Sequence, residues 1–186
     1  MVEFAILGLL HEAPMHGYEL RKRLAGLVGA YCAFSYGSLY PALRRLLRAG
    51  LIIEEAPGAG ADEWPTRSWG RRAKRVYQLT AEGKERFAEL LADSGPQAWD
   101  DDGFGVHMAF FSRTPAEARM RILEGRRRRV EERREGLRAA LSRAGEQIDR
   151  YTRELHRMGL ESSEREVRWL NELIEHERAE QLRSDD

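Results

Sequence analysis

Cysteine is nearly absent from this sequence of 186 residues, which contains only Cys32. A single thiol excludes an intrachain disulfide and any zinc site that needs two or more cysteines. No apolar run approaches the roughly 18 residues of a membrane span. The segment Val2–Leu10 lacks the basic start of a signal peptide and carries Glu3. We therefore expect a cytoplasmic protein without membrane contacts.

Catalytic and metal-binding motifs are missing as well. The histidines are scattered, without the spacing on one helix that metal ligands require; they are His11, His16, His107, His156 and His176. No serine, cysteine or aspartate motif of a nucleophilic enzyme accompanies them. We therefore predict no catalytic residues, no metal and no cofactor, and we do not expect an enzyme.

The chain has no excess of charge of either sign, with 31 Lys and Arg against 31 Asp and Glu. Two stretches nevertheless contain no acidic residue, from Ser35 to Ile53 and from Trp64 to Leu79. Because local charge sets the local potential, a neutral total is compatible with a surface that binds a polyanion.

The stretch Tyr36–Leu51 has the pattern of a short, basic, amphipathic helix. One of its faces is an apolar stripe at helical spacing, formed by Leu39, Ala42, Leu43, Leu46 and Leu47. Ser38 is predicted as the N-cap, which places Pro41 in the first turn, and Gly50 is predicted to end the helix. A solvated surface helix has the same pattern, so the neighbouring segments decide its interpretation.

Two predicted helices precede this stretch and two predicted strands follow it. The first helix ends before Pro14, and the second covers Gly17–Val28. Its candidates for burial are Tyr18, Leu24, Ala25, Leu27 and Val28. Strands are predicted at Leu51–Glu55 and Lys74–Leu79, on either side of a loop rich in Gly and Pro. Tyr77 and Leu79 are expected to face inward by strand alternation, and Thr80 is predicted to cap a further helix. This order is that of a winged helix-turn-helix module, whose third helix enters the major groove of DNA.

Four motifs give the chain a family resemblance. They are His16–Leu20 (HGYEL), Gly37–Leu43 (GSLYPAL), Gly50–Ile52 (GLI) and Arg75–Thr80 (RVYQLT). With these motifs the sequence resembles the PadR family of bacterial transcriptional regulators. The resemblance implies a dimeric repressor with an N-terminal winged helix and a C-terminal helical dimerisation region. The segment Ala56–Arg72 departs from the family because it is longer than the usual wing hairpin.

The predicted DNA contacts divide by chemistry. Cations and N–H donors bind phosphates without reading sequence, whereas arginine pairs bidentately with guanine in the major groove. The predicted DNA-binding residues are Tyr36, Gly37, Ser38, Tyr40, Pro41, Arg44, Arg45, Arg71, Arg72, Lys74 and Arg75. Of these, Arg44 and Arg45 are the candidates for base readout. For Tyr40, the alternative to a DNA contact is packing at the edge of the helix. For Arg48, the alternative is a favourable interaction with the negative end of the helix dipole.

The second half of the chain has helical patterns. A long helix is predicted over Thr114–Met158, with glycines that permit a break inside it and Gly159 as the stop. Ser163 and Glu166 are interpreted as a capping box for a last helix that ends near Arg183. The apolar positions of the long helix alternate spacings of four and three, as in a coiled coil. They are Leu137, Leu141, Ala144, Ile148, Tyr151, Leu155 and Met158.

Such a long apolar stripe needs a partner helix. We therefore predict an antiparallel helical hairpin that packs against a second copy of the chain. The predicted interface residues are Leu137, Leu141, Ile148, Tyr151, Leu155, Val167, Leu170 and Ile174. Two recognition helices related by a two-fold axis would read an inverted repeat in double-stranded DNA.

Aromatic residues cluster near the predicted hinge. They are Trp99, Phe104, His107, Phe110 and Phe111. One interpretation is a pocket for a small hydrophobic or aromatic effector, of the kind that the family resemblance implies. The other interpretation is the core of an interface.

Together these patterns predict a mostly α-helical chain. A winged helix-turn-helix domain with a small β-hairpin wing is expected at residues 1–92, a hinge with a short apolar helix at 93–112, and a coiled-coil-like dimerisation domain at 113–186. The predicted function is that of a homodimeric, sequence-specific repressor of transcription that a small effector releases. The alternative is a winged-helix module that binds proteins and does not bind DNA specifically.

Overall fold

The structure, a computed structural model, describes residues 1–28, 36–55, 75–144 and 148–184. The chain forms two compact units. The N-terminal unit comprises residues 1–93 and 105–113, and the C-terminal unit comprises residues 94–104 and 114–186. The described ranges are mostly α-helical with one small antiparallel sheet, which confirms the predicted fold class. None of the helices in these ranges is long and apolar enough to cross a membrane.

The N-terminal unit combines helices with a three-stranded sheet. In chain order its main elements are α1 (Val2–Glu12), β1 (Met15–His16), α2 (Gly17–Val28), α3 (Tyr36–Arg48), β2 (Ile52–Glu55), β3 (Val76–Leu79) and α4 (Ala81–Ala92). The sheet order is β1-β3-β2, and β3 is antiparallel to both neighbours. Residues 105–113 contain most of α6 (Phe104–Met108) and add Val106 and Phe110 to the core of this unit.

Local patterns predicted several features of this unit correctly. The apolar stripe of α3 is buried at Leu39, Ala42, Leu43 and Leu46 and half-buried at Leu47. Tyr77 and Leu79 of β3 point into the core, as strand alternation requires. Gly50 ends the turn after α3 with a φ of 70°, a left-handed conformation that favours glycine.

The start of α4 is held against the turn that follows α3. Thr80 is the N-cap, as predicted, because its hydroxyl accepts a hydrogen bond from the Gly83 amide at 3.0 Å. The same hydroxyl donates to the Gly50 carbonyl at 2.8 Å. A Cβ at Gly83 would lie 2.0 Å from the Leu51 carbonyl oxygen, so a glycine is required for this close approach.

Other features of the N-terminal unit differ from the predictions. Strand β1 was not predicted; it consists of Met15 and His16. Two residues are too few for a periodic pattern, so only the pairing of Met15 with Tyr77 reveals the strand. The predicted burial of Tyr18 and Ala25 was wrong, because α2 turns Leu20 and Leu24 toward the core.

The predicted start of α3 was also wrong. The helix begins at Tyr36, so Ser38 lies inside its first turn and is not the N-cap. Pro41 consequently lies beyond the first turn, where it lacks the N–H that normally donates to the carbonyl four residues earlier. Helix termini depend on a few competing hydrogen bonds, and a sequence pattern locates them less precisely than it locates the buried face.

The C-terminal unit is dominated by a pair of antiparallel helices. The short α5 (Pro96–Trp99) precedes α7 (Ala116–Ala144) and α8 (Arg150–Ser184). Arg119 bonds to Glu177 at 2.8 Å near one end of the pair, and Arg138 bonds to Glu164 at 2.9 Å toward the other. These contacts join the beginning of α7 to the end of α8, which defines the antiparallel arrangement.

The predicted long helix is interrupted earlier than its sequence signals suggested. Helix α7 ends at Ala144 and α8 begins at Arg150, so Gly159 is not a stop. Asp149 caps α8 instead, because its carboxylate accepts the amide protons of Tyr151 and Thr152 at 2.8 and 3.1 Å.

The predicted capping box at Ser163 and Glu166 was wrong for the same reason. Ser163 lies inside α8 and donates its hydroxyl proton to the Gly159 carbonyl at 2.9 Å. A serine can satisfy its hydroxyl in this way in the middle of a helix, so the capping motif alone did not identify a helix start.

A buried arginine joins three parts of the C-terminal unit. The Arg126 side chain, 9% exposed, contacts Asp101 and Glu166, each at 2.6 Å, and lies over the Phe104 ring. Arg133 also donates to Asp101 at 2.5 Å. Burial raises the pKa of Asp101, but hydrogen bonds and positive charge from the two arginines outweigh it and lower the pKa below its ordinary value.

This arrangement makes the stability of the C-terminal unit depend on pH. Because the folded-state pKa of Asp101 is depressed, its contribution is present above the ordinary carboxyl pKa of about 3.9 and is lost as the pH falls through the folded value. We expect Asp101→Asn to lower the melting temperature at pH 7, and this difference from wild type to shrink toward pH 3. Glu172→Gln, at an exposed position of α8, is the control. A difference that is constant with pH would contradict the prediction.

Candidate nucleic-acid interface

The face of α3 opposite its buried stripe is basic and solvent-exposed. Gly37, Arg44, Arg45 and Arg48 are exposed, and Tyr40 is 41% exposed. The sequence of α3 contains no acidic residue. The burial of one face against the core therefore orients the other, with its cations, toward solvent.

The arginines of this face have different surroundings. Arg45 donates through Nε to Glu3 of α1 at 2.5 Å, with both side chains about half exposed. Arg48 donates to the Arg44 carbonyl at 3.2 Å, which fits its alternative role at the negative end of the helix. Arg44 forms no ion pair with any residue in the described ranges. Its guanidinium therefore has no ionic competitor among them, and the same holds for Arg48, whose printed partner is the uncharged Arg44 carbonyl.

A groove runs between α3 and the base of the β2–β3 hairpin. Its volume is about 300 Å³, and Arg75 pairs with Glu54 on its hairpin side. The lining residues are Tyr40, Leu43, Arg44, Leu47, Glu54, Arg75 and Tyr77. Arg44 also lines a second, more open depression on α3 with Arg45 and Arg48. Two of the predicted DNA-binding arginines, Arg44 and Arg75, are thus brought together at one groove.

Part of the predicted DNA-binding set falls outside the described residues. This holds for the wing residues Arg71, Arg72 and Lys74 and for the side chain of Tyr36. Ser38 and Pro41 are half-buried on α3, between its basic face and its core face. The wing contacts consequently stay a prediction from the sequence.

Sequence reasoning did not identify three features of the N-terminal unit. Glu3 and Glu54 hold Arg45 and Arg75, and Tyr18 at the start of α2 is 67% exposed. The two ion pairs join residues that are 42 and 21 positions apart. No local pattern links positions so distant, whereas the exposure of Tyr18 follows from the spacing of Leu20 and Leu24.

The aromatic residues proposed for an effector are divided between the two units. His107 and Phe110 are buried in the N-terminal unit, with ring centroids 4.7 and 5.3 Å from that of Phe4. In the C-terminal unit, Phe104 lies edge-on to Trp169 at 6.2 Å. Each unit therefore uses part of the set in its own packing.

The two remaining members of the aromatic set are less buried. Trp99 packs on α7 so closely that a Cβ at Gly125 would lie 2.5 Å from its ring. Phe111 is half-buried in the N-terminal unit. Effector binding by the five residues stays a prediction.

The residues predicted for a dimer interface fall into two groups. Val167, Leu170 and Ile174 are at most 6% exposed within one chain, on the α8 side of the C-terminal unit. Leu137, Leu141 and Ile148 are half-buried, whereas Tyr151 and Leu155 are 83% and 61% exposed. The second group is the one that a partner could still cover.

The N-terminal half of the chain is similar to a known family of proteins. Residues 6–89 match the model of the transcriptional regulator PadR-like family. A curated relative is the negative transcriptional regulator PadR of Bacillus subtilis (strain 168), which is 25% identical over 96 residues. That match covers 52% of this chain and 48% of the relative, so the chain spans about half the length of the curated relative it matches.

Solved structures of similar proteins cover nearly the whole chain. Bacillus subtilis PadR in complex with operator DNA is 19% identical with a TM-score of 0.43, and covers 94% of this chain and 98% of its own. The same protein in complex with p-coumaric acid is 18% identical with a TM-score of 0.43, and covers 96% and 99%.

Proposed function

Because residues 6–89 of this chain belong to the transcriptional regulator PadR-like family, whose members are transcriptional regulators and not enzymes, we propose that it is a sequence-specific, DNA-binding repressor. It acts as a homodimer in the cytoplasm on an inverted repeat in double-stranded DNA. The B. subtilis relative is a negative regulator, and we propose that this chain also represses transcription. Release by a small hydrophobic or aromatic effector rests on the family alone.

The main support for DNA binding is the exposed surface of α3. Its four buried apolar residues anchor the helix, while Arg44, Arg45 and Arg48 face solvent without an acidic residue on the same helix. Arginine supplies both phosphate contacts, which give affinity, and bidentate pairs with guanine, which give specificity. The adjoining groove brings Arg75 of the hairpin, which pairs with Glu54, close to Arg44 of the helix.

An exposed apolar face on α8 supports the dimer. Tyr151, Leu155 and Met158 are spaced by four and three residues, which places them on one side of the helix. Their exposed fractions are 83%, 61% and 61%. A second copy of the same helix would bury this face symmetrically, as in a two-fold dimer. A dimer presents two α3 helices, which is what an inverted repeat requires.

Fluorescence anisotropy tests the proposal directly. The probes are a duplex that the wild-type chain selects from a randomised pool and an unrelated duplex of equal length, each titrated between about 50 and 200 mM salt. We expect the selected duplex to bind at least about 1,000-fold more tightly and with a steep salt dependence. Equal and weak binding of all duplexes would reject sequence-specific binding. No binding at low salt would favour a protein-interaction module.

A further inference from the structure

A carboxylate of α1 lies at the edge of the basic α3 face. Glu3 accepts a hydrogen bond from Arg45 Nε at 2.5 Å, although the two residues are 42 positions apart. Their side chains are 42% and 54% exposed. An ion pair this exposed contributes little to folding stability, because solvent screens it and two long side chains must be ordered. The ion pair can still affect which group of a ligand Arg45 binds.

The contact leaves a specific part of the guanidinium for a ligand. Glu3 engages Nε, which leaves the two Nη groups as the donors that can pair with guanine O6 and N7. A phosphate would have to compete with the Glu3 carboxylate for the same cation, since both are anions. In this conformation, Arg45 is better placed to bind the edge of a base than a phosphate of the DNA backbone.

We propose that Glu3 is a specificity-determining residue, which positions Arg45 for base readout and disfavours its binding to phosphate. This inference rests on the proposed DNA-binding function and deepens it. Glu3 is a positioning residue, because it acts through Arg45. Its carboxylate also weakens binding to all DNA by repulsion, and this penalty is shared by specific and non-specific complexes.

The shared penalty determines what Glu3→Gln should do. Removal of the negative charge strengthens binding to every duplex, so this effect cancels in the ratio of specific to non-specific affinity. Loss of the positioning contact affects only the complex in which Arg45 reads a base. We expect the ratio to fall about 2- to 10-fold, which corresponds to the cost of ordering one long side chain. The salt slope of non-specific binding should steepen by up to about 0.9, because Arg45 is released to neutralise a phosphate.

A double-substitution cycle separates this role from a general effect of charge. The affinity ratio of Glu3→Gln is measured on the selected and the unrelated duplex, in the wild-type and in the Arg45→Met background. The proposal requires the ratio to fall in the wild-type background and to be unchanged by Glu3→Gln when Arg45→Met is present. Glu89→Gln is the matched control, because Glu89 forms a similarly exposed pair with Arg86 on α4 at 2.8 Å.

The possible results are distinguishable from failure of the proposed function. If the wild type prefers its selected duplex but Glu3→Gln leaves the ratio unchanged, the role of Glu3 is rejected and DNA recognition stands. An equal fall in the Arg45→Met background would also reject the role, since the effect would not pass through Arg45. If the wild type shows no preference between duplexes, the proposed function itself fails. Melting temperatures of all variants identify any that merely unfold.

Discussion

Arg44→Ala is expected to weaken binding to the selected duplex by about 1–3 kcal/mol, which is about 5- to 150-fold. The reason is that Arg44 is exposed on α3 and lines the groove beside the hairpin. It also has no ion pair within the described ranges. Its guanidinium therefore needs to break no salt bridge before it binds DNA. Fluorescence anisotropy on the selected and unrelated duplexes measures the loss.

Arg44→Lys distinguishes the two roles that an arginine can have at this position. Lysine keeps the charge for a phosphate but loses the planar, bidentate donor that fits guanine. If Arg44 reads a base, Arg44→Lys should retain most of the non-specific affinity and lose much of the specific affinity. The matched control is Arg86→Ala, which removes an exposed arginine from α4. Unchanged specific binding by Arg44→Ala would refute the assignment of Arg44 as a DNA contact.

Leu155→Glu is expected to convert the protein from a dimer to a monomer. Leu155 is 61% exposed in the chain, in the middle of the apolar face with Tyr151 and Met158. In a symmetric dimer the substitution would place two carboxylates in an apolar interface without partners, which costs far more than it does in solvent. Light scattering should show the mass of one chain, 21.4 kDa, in place of twice that value.

Loss of the dimer should also weaken operator binding. The second α3 helix of a dimer binds intramolecularly once the first is bound, which contributes about 10²–10⁴-fold to the overall affinity. A monomer would lose that factor on a duplex with two half-sites, and would lose much less on a duplex with one. Leu182→Glu is the control, since Leu182 is 72% exposed on α8 about half a turn out of phase with Leu155. If the Leu155→Glu protein remains a dimer, the interface does not use this face of α8.

Local sequence patterns predicted the elements that local physical chemistry controls. The apolar spacing of α3, the Thr80 cap of α4 and the Gly50 turn all depend on residues within a few positions of one another. The motif GSLYPAL and the acid-free stretch around it also pointed to a basic helix with a reading role. These features need no knowledge of the rest of the fold.

The C-terminal half shows where local patterns are insufficient. The spacing of apolar residues continued through residues 145–149, so one long helix was predicted where the chain reverses direction. Ser163 and Glu166 had a capping pattern but lie inside α8, while Asp149 provides the cap. Several sites along this region can start a helix, and the packing of α7 on α8 selects among them.

By itself, therefore, the sequence indicated the family resemblance of the N-terminal half, the helical character of the chain and the basic face of α3. The tertiary structure alone decided which cations on that face are engaged: Arg45 by Glu3, Arg75 by Glu54, and Arg44 by no acidic residue in the described ranges. It also decided which apolar residues of α8 are covered within one chain and which face solvent. The physical reason is that helix formation and capping act between near neighbours in the chain, whereas ion pairing and burial depend on which distant segments the fold brings together.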